Sequence, residues 1–280
     1  ALGIYENAFV VAIGGKGAKS GIDINSPRLN SGLLIQGSLQ SDGTILQTSS
    51  GLSDNFTLGG DAEIPAWATV TIAADQTFTI ENGKTLTNNG TIENNGTLTT
   101  NGTFTNNGTF TNNGTFKGKL GVNQSLNIGG NEGFDVTCTY GEVTFNYEKE
   151  KKQLTIDETR SSEVLIKGRN KDHAVECGIV IAQDAIIELT IEDLNIEAGE
   201  ALVYNRTSDG SKWAYNLFLH GANRLTSTGG PGINLNGGYI SFWGSGSLTV
   251  TGGDDAAGIQ ASSLYINENT FVVAIGGKGA

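Results

Sequence analysis

Two neighbouring carboxylates, Asp254 and Asp255, stand in the phrase Thr251-Gly-Gly-Asp-Asp-Ala-Ala-Gly-Ile259. Adjacent acids on a glycine corner can offer oxygens to Ca²⁺, or work as an acid and base pair on a glycosidic bond. The plainer reading of the pair is a solvated corner. A second chemistry belongs to flat rings: Trp213, Tyr215, Tyr239, Phe242 and Trp243 could stack on sugar rings and fix them with few polar groups. In Tyr239-Ile-Ser-Phe-Trp243 the side chains alternate, so if Ile240 and Phe242 fill a core, Tyr239, Ser241 and Trp243 turn outward. Tyr239, Trp243 and Trp213 are therefore the candidate ligand surface, weighed against ordinary packing because tryptophan is usually largely buried. His173 and His220 are isolated, and His220, following Leu217-Phe-Leu219, reads as a corner residue with local hydrogen bonds. Arg169, Arg206 and Arg224 stand in no motif. Cys138 and Cys177 lie 39 residues apart with neither a CxxC nor a histidine-containing zinc spacing. They leave one disulfide or two buried thiols. The strand-like Thr137-Cys-Thr139 favours the thiols.

The elements that must hold these residues follow from an unusual composition. Of 280 residues, 41 are glycine, 27 asparagine and 3 proline, a glycine share about twice the ordinary one. With 37% apolar and 16% charged residues, the chain is neither a disordered polyelectrolyte nor a long charged coiled coil. Seventeen basic against 29 acidic side chains give a net charge of −12, and the densest basic cluster is Lys149-Glu-Lys-Lys152. Nucleic acid is not an expected partner. No apolar run approaches the ~18 residues that a membrane span needs, and Ala1-Leu-Gly-Ile does not open like a secretory leader. The chain reads as soluble, without a transmembrane segment.

Repeats dominate the rest. From Leu86 to Phe116 a six-residue unit recurs, Leu86-Thr-Asn-Asn-Gly-Thr, Ile92-Glu-Asn-Asn-Gly-Thr, Leu98-Thr-Thr-Asn-Gly-Thr, Phe104-Thr-Asn-Asn-Gly-Thr and Phe110-Thr-Asn-Asn-Gly-Thr. One apolar residue between Thr or Glu neighbours, then an Asn-Gly corner, predicts short strands of a β-solenoid. Six is not a multiple of 3.6, and a glycine in every unit would cost a helix about 1 kcal/mol each. Asparagine tolerates left-handed corners and can stack in amide ladders between coils. The Thr-x-Thr rows also match the outward face of ice-binding solenoids, although threonine's strand preference explains them as well. Further on, Arg224-Leu-Thr-Ser-Thr-Gly-Gly, Ser247-Leu-Thr-Val-Thr-Gly-Gly and Phe271-Val-Val-Ala-Ile-Gly-Gly277 place their double glycines 23 and 24 residues apart. That step predicts one turn of a right-handed parallel β-helix. Gly141 to Tyr147 and Gln153 to Ile156 alternate about the charged turn Glu148 to Lys152 and predict a hairpin or wide corner. Residues 4–18 nearly repeat in 266–280, so either terminal coils are copied within one protein or the chain has tandem neighbours in a larger one.

Gly246-Ser-Leu-Thr-Val-Thr-Gly-Gly with Ala257-Gly-Ile259, His220-Gly-Ala-Asn-Arg-Leu-Thr226, and the run from Thr85 to Thr97 resemble secreted gut-bacterial surface proteins of parallel β-helix type, within the pectate-lyase-like superfamily. The likeness covers residues 60–120 and 130–280. It implies an adhesin-like or carbohydrate-binding protein, extracellular or at a cell surface. Related families include pectin lyases and polygalacturonases, and one carbohydrate-binding branch uses an Asp-Asp-Gly-Ile phrase to hold calcium. Here two alanines interrupt that phrase in Asp254-Asp-Ala-Ala-Gly-Ile259, so a calcium role for Asp254 and Asp255 departs from the pattern. The Asn-Thr-Asp, Gly-His-Gly and Arg-Ile-Lys phrases of a polygalacturonase do not occur. The expectation is an all-β right-handed parallel β-helix with an N-terminal hexapeptide segment: a strand-rich stretch 1–60, a hexapeptide solenoid 61–120 and a β-helix 121–280. Its expected work is non-catalytic binding of polysaccharide or a host or cell-surface glycan, with Ca²⁺ as the one candidate cofactor. A β-helix lyase or glycoside hydrolase is the alternative, with a structural stalk and an ice-binding solenoid behind it.

Overall fold

The computed structural model describes residues 3–4, 8–16, 28–29, 32–141, 143–157, 162–182, 185, 187–205 and 214–279. The chain divides into two compact units, Ala1–Gly121 and Val122–Ala280.

In the first unit each hexapeptide supplies one four-residue strand, as in Thr85–Asn88, Thr91–Asn94 and Thr97–Thr100. Three hexapeptides complete a turn, so that Leu86 pairs with Phe104, Ile92 with Phe110 and Leu98 with Phe116, all in parallel. Strand parity turns these six apolar residues inward, where all are buried. Two positions further on the side chain points inward too: Asn88, Asn94 and Asn112 are fully buried, and Thr100 takes the same place in the Leu98 unit. A buried amide is costly unless it is hydrogen-bonded. Here the amide of Asn88 donates to the Asn106 side-chain oxygen at 2.7 Å and the Thr109 carbonyl at 2.9 Å, and Asn94 donates to Asn112 at 2.6 Å and the Thr115 carbonyl at 2.8 Å. The second asparagines form an outer ladder, Asn107 donating to Asn89 and Asn113 to Asn95. The amide ladders are present, but the corners do not use left-handed asparagine: the described non-glycine residues with positive φ are Asn123, Lys152, Asp193, Asn236, Asp255 and Asn269. The corner glycine answers to proximity. A Cβ on Gly108 would drive into the Gly90 carbonyl oxygen of the coil below.

Longer corners precede the hexapeptides. Ala62–Ile64, Thr69–Ile72 and Thr77–Ile80 lie beneath them in parallel register, and Asn55–Leu58 lies beneath Thr77–Ile80. Ala8–Gly14 pairs in parallel with Gly32–Leu39, which pairs antiparallel with Ile45–Leu52.

The second unit is also a three-faced β-helix. One face runs Ser162–Gly168, Ile187–Glu192, Ala214–His220, Tyr239–Gly244 and Ser263–Ile266, all parallel. A second runs Gln153–Asp157, Gly178–Ile181, Leu202–Tyr204, Ile233–Asn234 and Ile259–Gln260. The third runs Asn195–Ala198, Ala222–Ser227, Ser247–Thr251 and Phe271–Ile275. Thr144–Glu148 and Gln153–Asp157 form the hairpin expected around the charged turn, with Lys152 at a φ of 47°. Phe134–Tyr140 joins the first face antiparallel to Ser162–Gly168. Each parallel strand sends alternate apolar residues inward, among them Val164, Leu189, Leu217, Phe242, Ile196 and Val250, all buried. The fold is an all-β parallel β-helix, and the one helix among the described residues is the 3-10 turn Gly130–Glu132.

Candidate functional site

Ile240 and Phe242 are fully buried, so the alternation of Tyr239–Gly244 does turn Tyr239, Ser241 and Trp243 outward. Trp243 is 41% exposed. The parallel register decides what surrounds it. Phe218, one coil earlier, lies beside Trp243, and their rings are nearly parallel at 24° with centroids 6.5 Å apart. Asn216 lies beside Ser241, and its side-chain oxygen accepts a 3.2 Å hydrogen bond from the Trp243 indole N–H. That bond and the Phe218 ring hold the indole in one orientation with its polar atom satisfied. On the following coil Ser241 is beside Tyr265, which is 56% exposed and meets Tyr239 edge-on at 6.1 Å. Four aromatic rings from three coils thus share one outward surface, with the Asn216 amide and the Ser241 hydroxyl between them. Trp213 lies outside the described residues. Phe218, Asn216 and Tyr265 were not among the sequence candidates. The coil step of the double glycines would set Trp243 beside Leu219 or His220, and the longer step between these two strands sets it beside Phe218 instead.

Charged rows border this surface. Asp135, Lys167, Glu192 and His220 are successive register neighbours. Lys167 pairs with Glu192 at 2.7 Å, and Arg169 with Asp135 at 2.9 Å. The hydrogen bond and charge of Glu192 hold the Lys167 ammonium above its ordinary range. His220 is exposed at its strand end, and its carbonyl accepts from Asn223 at 3.0 Å. His173 is exposed beside Glu132. The third face carries a groove of about 580 Å³ lined by Lys171, Asp172, Asn195, Glu197, Arg224 and Thr226 among others. Arg206 lies outside the described residues.

Asp254 and Asp255 are both exposed at the corner after Ser247–Thr251, and Asp255 takes a left-handed φ of 58°. The Asp255 N–H donates to the Lys278 carbonyl at 3.0 Å. Among the described residues no three His, Cys, Asp or Glu side chains converge as metal ligands. The pair therefore offers Ca²⁺ two carboxylates, whereas a full shell takes about 6–8 oxygens. Cys138 and Cys177 are both buried thiols. Burial pushes the Cys177 thiol up to about 12 and the Tyr147 hydroxyl to about 12, so neither is a nucleophile near neutrality.

No helix among the described residues is long and apolar enough to cross a membrane. Compared with known proteins, the chain matches no family model, no curated protein and no solved structure.

Proposed function

We propose that the chain is a non-catalytic binding module of an extracellular or cell-surface protein, and that it holds a polysaccharide or cell-surface glycan against the outward face of Ala214–His220, Tyr239–Gly244 and Ser263–Ile266. One observation carries this reading: Trp243, 41% exposed, is fixed on the outward face by its hydrogen bond to Asn216 and backed by Phe218. An indole fixed in this way loses little freedom when a sugar ring covers it. Tyr239 and Tyr265 extend the platform, and the Asn216 amide and Ser241 hydroxyl are within its bounds for hydroxyl recognition. The resemblance to gut-bacterial β-helix surface proteins supports the same location and ligand class. Asp254 and Asp255 supply the calcium arm of the test.

The experiment is a depletion assay against a panel of insoluble and gelled polysaccharides, with calcium and with EDTA, in which the supernatants are also assayed for new reducing and unsaturated ends. Depletion without new ends supports the proposal. Release of ends would replace it with a lyase or hydrolase, and absence of depletion from every glycan would remove it.

A further inference from the structure

Asparagine followed by glycine is chemically labile, because the glycine amide nitrogen can attack the asparagine Cγ and a residue without a Cβ leaves that approach open. The dipeptide occurs seven times, as Asn82-Gly83, Asn89-Gly90, Asn95-Gly96, Asn101-Gly102, Asn107-Gly108, Asn113-Gly114 and Asn236-Gly237. In the sequence the seven are equivalent. Closing the ring needs an N–H that is not already donating, a side chain free to swing back on it, and a main chain with room to rearrange. The fold grants these unequally.

At the five hexapeptide corners it withholds them. The N–H of Gly90 donates to the Asn88 side-chain oxygen at 3.1 Å, that of Gly96 to the Ile72 carbonyl at 3.1 Å, that of Gly102 to the Ile80 carbonyl at 3.2 Å and that of Gly108 to the Asn88 carbonyl at 2.9 Å. The amides of Asn89, Asn95, Asn107 and Asn113 are tied into the outer ladder. Each corner glycine also lies against the preceding coil, where a Cβ would strike a carbonyl oxygen, so the main chain has no room to turn. Asn236 is held differently, its amide donating to the Tyr204 carbonyl at 3.1 Å. Asn82-Gly83 is the exception. The two are the central residues of a turn in which the Lys84 N–H donates to the Glu81 carbonyl at 3.1 Å, and both are exposed. Among the described residues neither the Asn82 side chain nor the Gly83 N–H has a hydrogen-bond partner. Nothing stands within 4 Å of a Cβ placed on Gly83.

We propose that Asn82 is a covalent modification site of the folded chain, converting through a succinimide to aspartyl and isoaspartyl products while the other six Asn-Gly pairs are protected by the coil. The Gly83 nitrogen bonds to the Asn82 Cγ and gives up its proton as the bond from Cγ to the side-chain nitrogen breaks and ammonia leaves. Water then opens the ring. Attack at Cγ restores the main chain with an aspartyl side chain, and attack at the main-chain carbonyl leaves the chain running through Cγ as an isoaspartyl link. Either product places a new carboxylate next to Glu81, at the corner between Thr77–Ile80 and Thr85–Asn88. The isoaspartyl form lengthens that corner by a methylene, outside the paired strands on either side. Water is the sole co-reactant.

The test incubates the full chain at pH 8, folded and in denaturing urea, and follows the mass gain of amide-to-acid conversion in its tryptic peptides. A zero-time sample subtracts what digestion adds. Trypsin separates the classes: 29–84 carries Asn82, 85–117 carries the five corner asparagines and 225–278 carries Asn236. From the folded chain, 29–84 should convert at least about tenfold faster per Asn-Gly pair than either other peptide, because reaction there waits for no local opening. Fragmentation should place the change at Asn82, and Asn82→Gln should remove it. In urea the protection is gone, and 85–117, with its five sites, should overtake 29–84. Conversion of folded 85–117 or 225–278 as fast as 29–84, no conversion at Asn82, a gain that survives Asn82→Gln, or a lead of 29–84 that persists in urea would overturn the proposal.

Discussion

Replacing Trp243 with alanine is the most direct test of the aromatic face, and its size can be worked out beforehand. A tryptophan presents about 150–250 Å². Trp243 keeps 41% exposed, which leaves about 60–100 Å² for a ligand to cover. At about 25 cal/mol per Å² full coverage contributes about 1.5–2.5 kcal/mol. A sugar ring covers one side of the indole, so about half is at stake, ~1 kcal/mol or roughly fivefold in affinity. A ligand gripping several copies of the face amplifies that factor through avidity. Asn216→Leu keeps the ring but removes the acceptor that orients it, and a smaller loss of about two- to threefold is expected. Thr249→Ala on the third face should change nothing. The assay is depletion on the polysaccharide that the panel identifies, read as the half-saturating glycan concentration, with circular dichroism confirming the fold. An unchanged Trp243→Ala would refute the aromatic-face reasoning. So would a Thr249→Ala loss as large as that of Trp243→Ala.

Asn94→Leu strips the donor from the Asn112 side-chain oxygen and the Thr115 carbonyl and should lower stability in urea by about 2–3 kcal/mol. Adding Asn112→Leu removes one stranded acceptor, so the double variant should fall short of the summed losses by about 1 kcal/mol; strict additivity would refute the inner ladder. Gly108→Ala should cost about 2–3 kcal/mol by forcing coils apart, whereas Gly60, with open space around it, should accept alanine within about 0.5 kcal/mol in the same urea titration. The folded Cys177 thiol holds its proton up to about 12, while the unfolded one ionises near its ordinary 9.0. The folded state thus binds the extra proton between those values. Stability should be full below the lower value and fall by up to about 1.4 kcal/mol per pH unit as pH rises through that window. Alkylation of Cys177 at pH 8 should likewise wait for denaturant, and rapid labelling of the folded chain would contradict its burial.

The hexapeptide coil could be read from the sequence because a fixed period leaves no freedom: every strand, corner and inward residue recurs at the same place. What the pattern concealed was the reason for its polar letters. Asparagine at a strand end looks like a surface residue until the parity of Leu86 and Asn88 shows that both face inward and that the amide satisfies the backbone of the corner. The glycine likewise resembles a residue chosen for positive φ, and it serves instead where the coil beneath leaves no space for a Cβ. At the aromatic face, parity alone turned Tyr239 and Trp243 outward. It could not supply their partners. Leu189 pairs with Leu217, but Phe218 pairs with Trp243, so the residues spanned by successive coils differ. Corner lengths, which carry no hydrophobic period, decide which outward residue meets which. The Asp254 and Asp255 pair shows the same boundary from the other side. Adjacency in sequence proves two carboxylates at one corner, but coordination needs groups from neighbouring coils to converge, and that depends on corner geometry rather than on the phrase itself.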